Sequence, residues 1–100
     1  MTRLQFLLLK LAEEASEVAQ AAMKAALYGL QNGQYDNYDN LRNEVMDLEI
    51  VIGELEDLDL PEGVEQSKET FEEIAEILEK RREKLNHHFE IAKAAHGTQL

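Results

Sequence analysis

Glu14 and Glu17 stand three residues apart, and further along the chain Glu44 and Asp47 repeat the spacing. On a helix, side chains at i and i+3 sit one above the other, so each pair forms a fork of carboxylates on one face. Such spacing is common in an acidic chain. Glu69 and Glu72, or Glu73, Glu76 and Glu79, show it on what reads as a solvated face. What separates the first two pairs is their direction. At about 100° per residue, Glu44 projects between Val51 and Leu55, inside an apolar arc, and Asp47 lies at the edge of that arc. Glu14 falls beside Leu7 and Val18, and Glu17 lies at the rim of the same face. An ionised carboxylate among apolar carbons is very costly unless something positive meets it. Should the two segments fold into an antiparallel hairpin, the four carboxylates would face one another. Lys10, Lys24 and Arg42 are the cations at hand, and they are expected to point away from the apolar arcs. A divalent cation is the natural compensation, and an all-oxygen donor set suits Mg²⁺ or Mn²⁺. The alternative is an ion-pair network completed by Arg81 from a third helix.

The elements that must position these groups follow from periodicity. A first helix is expected from about Thr2 to Leu30, with Thr2 as N-cap and Gly29 or Gly33 as stop. Its apolar face is Leu4, Leu7, Leu8, Leu11, Ala15, Val18, Ala22 and Ala26. The polar stretch 31–38 has no helical period and reads as a loop. Asp39 or Asn40 is then the expected cap of a second helix running to about Asp57, with Leu41, Val45, Leu48, Val51, Ile52 and Leu55 as its stripe. Pro61 and Gly63 break the chain again. A third helix is expected to reach about Ala95, with Gly97 as its stop. Its narrow stripe of Phe71, Ile74, Leu78, Leu85, Phe89 and Ala92, interrupted by Arg81 and His88, is close to a heptad seam and suggests packing against another subunit.

Composition bounds the function. One hundred residues make one domain, 1–100, of all-α class. With 21 Asp and Glu against 10 Lys and Arg, the formal net charge is -11. Such a chain repels phosphate backbones and anionic membranes, which argues against DNA or RNA as partner. The absence of cysteine excludes a disulfide framework, a thiolate zinc site and a thiol nucleophile. The apolar run at Phe6–Leu9 ends at Lys10, too short for a signal sequence or a membrane span, so a soluble cytoplasmic protein is expected. No Glu precedes His87, His88 or His96 by three residues, which sets aside the Glu-x-x-His motif of di-iron bundles.

Glu13-Glu14-Ala15-Ser16-Glu17 followed by Glu44-Val45-Met46-Asp47 resembles the Glu-Glu-x-x-Glu … Glu-x-x-Asp signature of the MazG-like, all-α nucleoside triphosphate pyrophosphohydrolases. The resemblance covers roughly residues 4–56, and Lys24 and Tyr28-Gly29 belong to the matching stretch. It implies a helical bundle completed by oligomerisation, as a homodimer or homotetramer, with Mg²⁺ held by Glu14, Glu17, Glu44 and Asp47. The implied reaction is hydrolysis of a nucleoside or deoxynucleoside triphosphate to the monophosphate and pyrophosphate. Many members hold the distal phosphates with a basic cluster on a later helix. Here the candidates are Lys24 and, from the run 79–84, Arg81, Lys84 and Lys80, although the spacing of that run does not match. Tyr28 is placed to stack on a base, and Asn40 and Asn43, flanking the second acidic pair, to bond its edge or the sugar. The rival from another class is a non-catalytic acidic interaction module whose third helix binds a partner. Glu44 discriminates between the two, because a packing module has little reason to place a carboxylate within its apolar arc.

Overall fold

A computed structural model describes residues 1–64 and 69–96 of the chain. They form three helices and one short β-hairpin: α1 (Arg3–Tyr28), β1 (Gln31–Asn32), β2 (Tyr35–Asp36), α2 (Asn37–Glu56) and α3 (Phe71–His96). The fold class is all-α. Met1–Pro61 and Glu62–Leu100 are two separate compact units.

The first unit is an antiparallel helix pair. Thr2 starts α1 through a capping box: its hydroxyl accepts from the Gln5 N–H at 3.1 Å, and the Gln5 side chain accepts from the Thr2 N–H at 2.9 Å. Gly29 ends the helix, with φ of 89° and its N–H bonded to the carbonyl of Ala25. The stretch expected as a loop is a hairpin. Asn32 pairs with Tyr35 and Gln31 with Asp36, around a two-residue turn. Gly33 takes the positive φ of 61° that the first turn position demands, and Gln34 does not, as in a type II′ turn. The cap of α2 is correspondingly Asp36, whose carboxylate accepts from the Asp39 N–H at 2.8 Å. Asn40, expected as a cap, lies inside the helix.

Packing between α1 and α2 follows a strict alternation of three and four residues. Leu4, Leu7, Leu11, Glu14, Val18, Ala21 and Ala25 are the buried or half-buried side chains of that register on α1. Asn37, Leu41, Glu44, Leu48, Val51, Leu55 and Leu58 answer them on α2 and just beyond it. This is the seam of a two-stranded coil, with one glutamate inserted on each side. Three members of the expected α1 face, Leu8, Ala15 and Ala26, are exposed instead. The correction has a simple cause. One partner helix covers only a narrow seam, so the broad apolar arc of α1 is divided between a covered side and an open one. Leu7 and Ala25 are the buried apolar residues among those described.

In the second unit, α3 starts after Thr70, whose hydroxyl accepts from the Glu73 N–H at 3.2 Å. Phe71, Ile74, Leu78, Leu85 and Phe89 of the expected seam are exposed, and Ala92 is half-buried. The expected stop at Gly97 lies outside the described residues. No helix of the described residues is long and apolar enough to cross a membrane.

Candidate metal centre

The seam register brings Glu14 and Glu44 into the α1–α2 interface, and Glu17, one turn after Glu14, joins them from the rim. One carboxylate oxygen from each of Glu14, Glu17 and Glu44 lies within 4.8 Å of the others, the arrangement of a set of ligands around one cation. All three side chains are half-buried. The Oε2 atoms of Glu14 and Glu44 are shut off from water and have no hydrogen-bond partner. Buried polar atoms in folded proteins almost always have partners, and these two orphaned acceptors leave room for a cation as theirs.

The electrostatics say the same. Desolvation, then the Glu17 carboxylate, then the charge of Asp47 hold the Glu14 carboxyl above the ordinary value of 4.5, and Lys10 offsets part of this. For Glu44 the leading cause is the Glu17 carboxylate within hydrogen-bonding reach. Desolvation follows, then the charges of Glu17, Asp47 and Glu14, and the result is again upward. Without a cation, Glu14 and Glu44 therefore hold their protons to higher pH than isolated glutamates do.

Asp47 is placed differently from its three companions. It is exposed and stands outside the 4.8 Å set, and with Glu14 it lines a neighbouring cleft of about 450 Å³. Its charge reaches Glu14 and Glu44 even so. The structure thus gathers three of the four expected ligands and sets the fourth at the rim.

The two lysines expected to point away from the apolar arcs border the clefts beside the cluster. Lys10 is half-buried, bonds Glu13 at 3.4 Å and lines the same cleft as Glu14 and Asp47. Lys24 lines a second cleft of about 150 Å³ with Glu17, Gln20, Asn37, Asn40 and Glu44. A long aliphatic stem lets a lysine attached outside the apolar arc carry its ammonium back to the rim. Of the other phosphate candidates, Lys80, Arg81 and Lys84 lie on α3, in the second unit, and are exposed there. Arg82 beside them pairs with Glu79 at 3.8 Å.

A third cleft, of about 340 Å³, adjoins the second and shares Lys24, Asn37 and Asn40 with it. Tyr28, Asn32 and Tyr35 complete its lining. Two of the three expected base contacts, Tyr28 and Asn40, therefore share a cleft. Asn43 is exposed and lines neither the second nor the third. Sequence reasoning missed Asn32, Tyr35 and Asn37. Gly33-Gln34 fits the Gly-first pattern of a type II′ hairpin turn and could have revealed the first two.

Comparison of the chain with protein-family models, curated proteins and solved structures finds no match.

Proposed function

We propose that the chain is a Mg²⁺-dependent nucleoside triphosphate pyrophosphohydrolase, acting on ribo- or deoxyribonucleoside triphosphates in control or cleansing of the nucleotide pool. The observation that carries this reading is the pair of orphaned, buried carboxylate oxygens, Glu14 Oε2 and Glu44 Oε2, within a three-carboxylate cluster at the mouth of clefts that also hold a lysine. The resemblance of the stretch from Glu13 to Asp47 to the pyrophosphohydrolase signature, which names the same carboxylates, supports it.

The donor set fits the ion. Glu14, Glu17 and Glu44 would hold it, with Asp47 reaching in from the rim, and their oxygens are the hard ligands that Mg²⁺ and Mn²⁺ prefer. When bound, Mg²⁺ neutralises phosphate charge and acidifies a coordinated water. A strongly acidic protein needs that neutralisation to admit a triphosphate at all. The residues of the chain supply the rest. Lys24 binds a phosphate oxygen from the second cleft. A carboxylate oxygen of Glu14 or Glu17 orients the attacking water and takes its proton. The water oxygen bonds to the α-phosphorus, the bond from that phosphorus to the bridging oxygen breaks, and pyrophosphate leaves with the electron pair. Positioning and charge stabilisation supply most of the acceleration in such a displacement.

Assembly into a homodimer or homotetramer belongs to the same proposal. Leu8, Leu9, Met23 and Leu27 on α1, with Met46 and Ile50 on α2, remain exposed in the helix pair. So much apolar surface on a small unit favours association with a second copy. A cytoplasmic location fits a nucleotide-pool role.

The test is pyrophosphate release from a panel of ribo- and deoxyribonucleoside triphosphates, with Mg²⁺ or with chelator, beside Glu44→Gln. Metal-dependent release that the variant lacks is the expected result. Silence across the panel together with no Mg²⁺ binding would favour the acidic interaction module instead.

A further inference from the structure

Asparagine stands at positions 32, 37, 40, 43 and 86, and Asn32 alone is followed by glycine. It is also the one that lies outside a helix, since Asn37, Asn40 and Asn43 belong to α2 and Asn86 to α3. Asn32 is exposed, in a hairpin of only two residue pairs. The N–H of Gly33, next in the chain, donates to nothing among the described hydrogen bonds. Open space surrounds it, with no atom within 4 Å of where a Gly33 Cβ would stand. A two-stranded hairpin is marginally stable by itself, and one with so few buried contacts opens at low cost. Opening frees Asn32 from the extended conformation of the ladder, and its side-chain amide then meets the Gly33 nitrogen as a near neighbour.

We propose that Asn32 is a site of self-modification, where the Gly33 nitrogen closes on the side-chain amide and converts it to a carboxylate beside the cleft that Lys24 lines. Hydroxide removes the Gly33 N–H proton, and the nitrogen bonds to Asn32 Cγ. The bond from Cγ to Nδ2 breaks, and Nδ2 takes up a proton and leaves as ammonia. A five-membered imide remains. Water adds to one of its two carbonyl carbons, and the bond from that carbon to the Gly33 nitrogen breaks. Opening at Cγ leaves aspartate. Opening at the main-chain carbonyl leaves isoaspartate, whose backbone runs through Cβ and Cγ. One water is consumed, one ammonia is released, and nothing is oxidised or reduced. Proximity makes an otherwise inert amide a target, and the missing Cβ of glycine leaves the attacking nitrogen uncrowded.

Both products act on one cleft, which Asn32 lines with Lys24, Tyr28, Tyr35, Asn37 and Asn40. Aspartate offers Lys24 a carboxylate to pair with. Isoaspartate lengthens the main chain by a methylene, which a two-residue turn cannot absorb while Asn32 stays paired with Tyr35. On the pyrophosphohydrolase reading either change draws Lys24 or its surroundings away from the phosphates, so the chain loses substrate affinity as it ages. Only that consequence rests on the reading.

The test is incubation of the full chain in neutral and in mildly alkaline buffer, followed by tryptic mapping with tandem mass spectrometry. Cleavage after Lys24 and Arg42 releases 25–42, which carries Asn32, Asn37 and Asn40 together, so two helical amides serve as controls within one peptide. The expected result is the mass gain of amide to acid at position 32, faster at the higher pH, with positions 37 and 40 unchanged. Labelling by an isoaspartyl methyltransferase reads the isoaspartate share. Gly33→Ala loosens the hairpin yet crowds the nitrogen, and it should lose most of the gain. Three intact amides, a gain spread evenly over the three, or a gain that Gly33→Ala leaves unchanged would each overturn the proposal. The mass readout needs no turnover, so the modification stands or falls apart from the proposed reaction. Asn32→Asp, which supplies the carboxylate at once, should raise KM for the triphosphate; an unchanged KM would overturn the effect on the Lys24 cleft.

Discussion

Glu14 of α1 and Glu44 of α2 place carboxylate oxygens within 4.8 Å of each other across a helix seam, and each has a buried Oε2 that no donor reaches. Both carboxyls titrate above the ordinary value of 4.5, Glu14 chiefly through desolvation and Glu44 chiefly through Glu17. The sign of the consequence is fixed by linkage. Below pH 4.5 both folded and unfolded chains carry these acids neutral. As pH rises, the unfolded chain releases the protons first, and the metal-free fold loses stability until pH passes the raised folded-state values. The melting temperature in chelator is therefore expected to fall with rising pH over that window. Mg²⁺ should flatten or reverse the slope, because it binds the deprotonated cluster and competes better as protons leave. A slope in chelator flattened as much by the charge-matched, exposed Glu56→Gln as by Glu44→Gln would assign the effect to net charge rather than to the cluster.

Glu44→Gln separates the cost of the cluster from its use. The amide removes one of three mutually repelling charges and brings donors to a place where Glu17 and Glu14 only accept. Without metal the variant should melt higher than the parent near neutral pH. Its Mg²⁺ affinity and pyrophosphate release should fall, the release by roughly 100-fold or more, since losing a ligand exceeds the effect of losing a supporting contact. Calorimetric unfolding and an Mg²⁺ titration read the two halves together. A variant both less stable without metal and fully active would show that the carboxylates serve packing alone.

Much of this fold and of its acidic cluster is legible in the order of the residues, for identifiable reasons. Thr2 with Gln5, and Gly29 after Tyr28, are local signals whose geometry depends on no partner. The angles of Glu14 and Glu44 follow from helical periodicity, and periodicity survives packing. What periodicity omits is which part of an apolar arc a neighbour will cover. Leu8, Ala15 and Ala26 share an arc with Leu7, and only the three-four seam is closed. Helical angle puts Lys10 and Lys24 outside the apolar arcs but omits the clefts they border, because it describes Cβ, whereas the ammonium sits at the end of a flexible stem. Asn37 carries no periodic signal at all. Its burial comes from the turn between α1 and α2, which brings Gly29 against it.

Two glycines give opposite predictions from the same substitution. Gly33 has φ of 61°, and a Cβ there would meet nothing within 4 Å, so Gly33→Ala suffers only the left-handed backbone penalty. A loss of about 1–2 kcal/mol is expected. Gly53 sits inside α2, away from positive φ and with equally open space. Gly53→Ala should gain about 0.5–1 kcal/mol by restricting the unfolded chain and favouring helix. Urea unfolding of both variants beside the parent checks the pair.

Lys24 provides the test of where the phosphates lie. It is the cation that borders both the carboxylate cleft and the tyrosine cleft, whereas Lys80, Arg81 and Lys84 belong to α3 in the second unit. If Lys24 holds a phosphate oxygen, Lys24→Ala removes a charge-assisted hydrogen bond made in ground and transition states alike. Such a loss raises KM and leaves kcat little changed. About tenfold in KM is expected at saturating Mg²⁺, with a weaker dependence on salt than the parent shows. Lys24→Arg keeps the charge and should recover most of the loss. Arg81→Ala, measured beside it, decides whether α3 also contributes: a comparable rise in KM would assign it a distal phosphate, and an unchanged KM would leave Lys24 as the phosphate contact.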